Sequence, residues 1–202
     1  MKKLIVIVAL LCISQTALAE YSWRGAELMF SFEGAVELSD DLAAGQKLSL
    51  FGNSIAFVSP ENGVHMYFVY AGPMWEITDW VWVAPLIGTG INWADTTAFD
   101  ASLWIGFSFF EGQFTMFFEG DFLVNHFEEV YDYYGFYSVD YNPTKWLKLG
   151  VHGEQIEKGV MFGSHFGLRK PDTPWSIDFQ YYFGVQKENK GHTFRVKTGM
   201  VF

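Results

Sequence analysis

The sequence predicts an all-β fold, a closed antiparallel β-barrel that crosses a membrane on its strands, and three observations lead there. Apolar and polar residues alternate with a period of two in segment after segment. The chain carries 21 Phe, 10 Tyr and 8 Trp, while only 18% of it is charged. No stretch after residue 19 is apolar for the roughly 18–20 residues that a spanning helix needs. Val81 to Ile91 comes nearest and is interrupted by Pro85, Gly88 and Gly90. A chain that enters lipid without helices must close its sheet on itself, because every backbone N–H and C=O has to pair within the protein.

Residues 1–19 read as a signal peptide. Lys2 and Lys3 give a positive start, Leu4 to Leu11 an apolar run, and Ala17-Leu18-Ala19 a small-x-small cleavage site. Leu10 and Leu11 are too bulky for a lipoprotein cut before Cys12, so the mature chain is expected to begin at Glu20 and residues 20–202 to form one barrel domain. Cys12 is the only cysteine. Its loss with the signal leaves no disulfide, no thiolate nucleophile and no cysteine metal site, so stability must come from the sheet itself.

The strands are clearest near the C-terminus. Phe194, Val196, Thr198, Met200 and Phe202 share one face, and Arg195 and Lys197 take the other. Trp175, Ile177, Phe179, Tyr181, Phe183 and Val185 alternate with Ser176, Asp178, Gln180 and Gln186; Phe114, Met116, Phe118, Phe122 and Val124 alternate with Thr115, Glu119, Asp121 and Asn125. A soluble sandwich also alternates, but its apolar faces are rarely aromatic on every strand. The same reading gives strands at 64–75, 80–93, 99–110, 113–125, 133–141, 146–157, 160–170, 174–186 and 192–202. Ala26, Leu28, Phe30 and Phe32 begin another. Leu48 and Leu50 then change phase to Ile55 and Phe57 around Gly52-Asn53, as a hairpin or bulge would make them do. Three strands within Trp23 to Val58 give the expected twelve in all; one strand there gives ten.

Two kinds of connection alternate. Tight ones fall at 76–79, 111–112, 142–145 and 170–174; looser or more polar ones fall at 59–63, 94–100, 126–132, 157–159 and 187–191. Bacterial membrane barrels keep short turns at the periplasmic end and longer loops outside. Trp75, Trp80, Trp146 and Trp175 all flank the tight set, where an aromatic girdle belongs.

The last strand resembles that of bacterial outer-membrane β-barrel proteins as a class. Those end on an aromatic residue, usually Phe, behind apolar residues at alternate positions; Phe202, Met200, Val196 and Phe194 match, and Thr198 fits less well. The resemblance covers the signal segment and the alternating strands. It implies an outer-membrane location in a Gram-negative cell, lipid and lipopolysaccharide as surroundings, and the barrel-assembly machinery, which reads such an ending, as a partner.

With apolar residues outward, the other phase lines the lumen, and its charges are unevenly spread. Residues 20–140 hold 18 acidic groups but only Arg24 and Lys47 as basic ones, whereas 141–202 hold 9 basic and 5 acidic. This gives Glu27, Glu33, Glu119 and Asp121 on an early wall and Lys148, Arg169, Arg195 and Lys197 on a late one. Such a lumen carries a transverse field, as the constriction of a diffusion porin does. Interlocked salt bridges plugging a narrow barrel are the equal alternative.

A second group is sharper. If Lys158-Gly159 is a two-residue turn, His152 stands directly opposite His165, with Glu154 two residues along and Asp178 diagonal to His165. Two imidazoles flanked by carboxylates can act as a general base or bind a divalent ion, although Ser164, the nearest hydroxyl, falls on the lipid phase. No phosphate-cradling loop, nucleotide fingerprint or zinc spacing occurs, so no cofactor or metal is expected. A net charge of −10 argues against nucleic acid as a partner. A small passive channel with a charge-polarised lumen is the leading expectation. A plugged structural or adhesion barrel and a lipid-modifying enzyme are the alternatives.

Overall fold

A computed structural model describes residues 23–42, 46–59, 64–92, 96–125, 131–156, 159–184 and 191–201. The proposed signal peptide and the terminal Phe202 lie outside these. Eleven strands follow one another: β1 (Trp23–Leu42), β2 (Gln46–Ser59), β3 (Val64–Thr78), β4 (Val81–Asn92), β5 (Thr96–Phe109), β6 (Phe114–Asn125), β7 (Tyr131–Thr144), β8 (Leu147–Ile156), β9 (Gly159–Arg169), β10 (Trp175–Gly184) and β11 (His192–Val201). Each pairs antiparallel with its neighbours in the chain, and β1 closes the barrel against β11. That last pairing is parallel, with Leu28 beside Val196 and Phe30 beside Thr198. Up-and-down strands in odd number run the same way at both ends of the sheet, so only a parallel seam can close it.

Eleven strands replace the expected twelve, and the reason lies in β2. Its pairing with β1 and β3 runs without a break through Gly52 and Asn53, so neither hairpin nor bulge occurs there. Leu50 is on the outer wall, 50% exposed, whereas Phe51 and Ile55 point inward and are buried. The apparent phase change arises because part of the lumen is itself apolar. Trp23 to Ser59 therefore forms two strands rather than three.

Large apolar side chains stand exposed on the outside of strand after strand, among them Phe32, Leu50, Ile87, Leu103, Phe122, Val151 and Phe166. An apolar surface of that extent suits hydrocarbon rather than water. The tight turns gather at the end of the barrel where β11 finishes, and Trp75, Trp80, Trp146 and Trp175 ring that end, each about half exposed. In the turn after β5, Phe110 and Glu111 take left-handed backbone angles (φ 54° and 56°) before Gly112 (φ 82°), which returns the chain within a few residues.

The inside is divided. Met29, Phe51, Ile55, Tyr70, Ala84, Leu86 and Trp104, from β1 to β5, form a buried apolar cluster against which Trp82 and Phe117 also pack. Trp104 meets Phe51 and Phe117 edge-on at centroid distances of 5.6 and 5.5 Å. The remaining arc, from β5 round to β11, is polar and charged: Asp100, Asp121, Asp140, Glu154, His165 and Arg195 are buried there.

Candidate functional site

The lumen holds a chamber of about 420 Å³ lined by side chains from all eleven strands, including Asn53, Glu119, Lys148, His165, Asp178 and Lys197. Beyond Asp140, Lys148 and Asp178 lies a wider vestibule of about 720 Å³. The tight turns and Arg169 form its rim, so the chamber faces the end of the barrel where β11 finishes.

Arg195 dominates the middle of the lumen. Its Nη2 lies 2.7 Å from Glu27 Oε2 on the adjacent β1 and 3.2 Å from Glu154 Oε2 on β8, three strands away. Nη1 donates to the Tyr182 hydroxyl at 2.8 Å, and the guanidinium lies 4.7 Å over the Tyr182 ring and 5.3 Å from the Phe57 ring. The Tyr134 hydroxyl donates to Glu154 at 2.8 Å. The planar fork of an arginine suits this task, since it serves two carboxylates and a hydroxyl together. Tyr182 has no solvent exposure and Glu154 only 2%, so the group forms a closed layer across the polar arc.

The histidines meet by a different route from the one the turn suggested. In the observed pairing His165 stands opposite Gly150 and His152 opposite Gly163, two residues out of the expected register. Nevertheless His152 Nδ1 and His165 Nδ1 are 2.9 Å apart, as diagonal neighbours. Each ring fills the space over the glycine beside it: a Cβ on Gly163 would come within 2.5 Å of His152 Nε2, and one on Gly150 within 2.6 Å of His165. The carboxylate partner also differs. His165 Nε2 is 2.5 Å from Asp140 Oδ1, while Glu154 serves Arg195 and Tyr134. Asp178 is diagonal to His165 in register, yet it pairs with Lys148 at 2.9 Å across Gly167, whose missing side chain leaves the path clear. Ser164 pairs with Val151 on the outward phase, and Ser138, opposite His152, donates to Asp140 at 3.3 Å. Among the described residues, no hydroxyl is hydrogen-bonded to either imidazole as a nucleophile would be to its base.

Glu119 and Asp121 sit on β6, Glu119 lining the chamber and Asp121 buried with Asp100 and Ser102 of β5 beside it; Ser102 donates to Asp121, and Tyr70 reaches over Gly88 to donate to Asp100 at 2.7 Å. Glu33 and Lys197 line the chamber as well. Read along the chain, acids and bases occupy separate walls. In the ring, β1 lies beside β11, so Glu27 meets Arg195 and the separation folds back at the seam. Phe194, Val196 and Met200 alternate with these charges along β11, on the phase opposite to them. The residues that sequence reasoning missed are Asp140, Asp100, Tyr70, Tyr134 and Tyr182. Asp140 is on the inward phase and, counted across the turn after β7, falls opposite Gly150, which is the signal that finds it.

These features define a closed up-and-down β-barrel that resembles bacterial outer-membrane β-barrels in fold. The fold is similar to that of a solved structure described as "KdgM porin", with a TM-score of 0.56 at 7% identity, covering 77% of this chain and 91% of that one. No protein-family model and no curated protein matches the chain. At that identity the likeness is one of fold.

Proposed function

We propose that this protein is a narrow passive channel of the outer membrane, exported by residues 1–19, with the tight turns in the periplasm and Arg195 at its constriction. The observation that carries this reading is the chamber itself. Every strand contributes to it, it faces the turn end through a polar vestibule, and it abuts an ion-pair layer. Such a layer holds the lumen small while keeping it polar, as charged rings do at pore constrictions. The surroundings are then outer-membrane lipid and lipopolysaccharide, and the barrel-assembly machinery is the partner in biogenesis.

Planar-bilayer recording of the purified protein tests it. Small unitary conductance is expected from the wild type and a larger one from Arg195→Gln, in which the cross-lumen contacts are shortened. A second reading, a plugged structural barrel, is favoured by the complete burial of Tyr182 and Asp100. It expects no conductance above background from either protein, and that result would overturn the channel.

A further inference from the structure

The charge gathered in the middle of the lumen goes beyond a constriction. Glu119, Arg195 and Lys197 line the chamber; Asp100 and Asp121 are buried beside Glu119, and Glu27 and Glu154 hold Arg195. They are contiguous. Glu119, Phe136 and Glu154 form one cross-strand row, and Asp121 pairs directly with Tyr134, which holds Glu154. Arg195 is itself shared between two carboxylates, so its immediate group carries net negative charge. Among the described residues, no cation lies within ion-pair distance of Asp100, Glu119 or Asp121.

A second, separate feature points the same way. Asn53 on β2 is 4% exposed and lines the chamber with Glu119, and its Oδ1 has no hydrogen-bond partner. It belongs to the cross-strand row Asn53, Tyr70, Gly88, Asp100, and at the other end of that row Asp100 Oδ1 is also without a hydrogen-bond partner while fully buried. Acceptors left open beside several buried carboxylates in a low-dielectric lumen are compensated by a proton held among the carboxylates or by a cation drawn in from solution, because an uncompensated buried anion is costly. No group of three His, Cys, Asp or Glu among the described residues has the geometry to hold a metal ion. The charge therefore acts as a field on mobile ions rather than as a chelate.

We infer that the channel selects monovalent cations and cationic solutes over anions, an inference that rests on the channel reading and specifies what the same site admits. The expected preference for K⁺ over Cl⁻ is on the order of a hundredfold, which one uncompensated charge about 10 Å from the ion path supplies at an effective dielectric constant of about 20, attracting the cation and repelling the anion alike. Salt reduces it, since the Debye length is about 10 Å at 0.1 M.

The test is the reversal potential of wild-type channels in bilayers under a tenfold KCl gradient at low salt. A reversal potential with the sign of the K⁺ equilibrium potential is expected. It should move toward zero in the double variant Glu119→Gln, Asp121→Asn, and separately in Asp100→Asn. Wild-type channels that conduct but are unselective or prefer Cl⁻ would overturn the inference and leave the channel standing. A cation preference unchanged in both variants would overturn the assignment to these carboxylates. Absence of conductance strikes instead at the channel.

Discussion

Glu27 and Arg195 stand side by side across the parallel seam, 2.7 Å apart, although 168 residues separate them in the chain. Their contact exists only if β1 lies directly against β11 with no further strand between, so it tests the strand number. The mature chain is expected to lack cysteine, which makes disulfide trapping clean. Ser31 and Gly199 are partners in the seam, and a Cβ on Gly199 would lie 2.6 Å from Ser31 Oγ, close to disulfide spacing. The pair Ser31→Cys, Gly199→Cys should cross-link under mild oxidation, seen as a mobility shift on denaturing gels. Ser31→Cys with Thr193→Cys should not. A twelfth strand inserted at the seam would abolish the first cross-link.

Arg195 makes the layer around it dependent on charge balance. Removing it alone leaves Glu27 and Glu154 facing each other with no cation between them, and breaking a buried pair in this way costs about 3–5 kcal/mol. Arg195→Met should lower the free energy of unfolding, measured by urea titration in lipid vesicles, by that order. The triple variant Arg195→Met, Glu27→Gln, Glu154→Gln should recover most of the loss, because neutral partners no longer require the guanidinium. A triple variant as unstable as the single one would show that the aromatic packing of Arg195 on Tyr182 and Phe57, rather than its charge, holds the layer.

The apolar arc makes the opposite claim about the tryptophans. Trp104 is 4% exposed and touches Phe51, Tyr70 and Phe117, whereas Trp175 is 51% exposed on the outer wall. Trp104→Ala should cost about 3–5 kcal/mol through the cavity it leaves, and Trp175→Ala much less. Similar losses from the two would mean that the lumen is not packed on its apolar side.

What the sequence could and could not convey follows from these same residues. The period of two, the tight turns and the outward aromatics need only local spacing, and they specified a barrel and its two ends. Phe51 and Ile55 misled the strand count because a period of two separates two faces without saying which is apolar, and on β2 both are. The histidines were found by phase, but their register was not, because the turn that sets it contributes only two positions. Asp140 and Glu27 were beyond reach as partners for another reason. Asp140 meets His165 straight across Gly150, a row that spans two hairpins, and Glu27 meets Arg195 through ring closure, so no counting along one hairpin relates either pair.

The glycines of β8 and β9 show how the wall admits the imidazoles, and they separate steric need from mere flexibility. Gly163 is on the inward phase, where an added Cβ would lie 1.7 Å from the Tyr181 carbonyl oxygen, a backbone atom that cannot turn aside. Gly153, on the outward phase, would place its Cβ 3.3 Å from the movable Phe162 ring. Both have extended backbones, so Ala is favourable or neutral at either position unless space decides. Gly163→Ala should therefore destabilise by about 1–3 kcal/mol or more, the range for overpacking, and displace His152 from His165. Gly153→Ala should stay within about 0.5 kcal/mol. Urea midpoints measured in vesicles compare the two directly, and equal effects would mean that the His152–His165 contact does not depend on the space over Gly163.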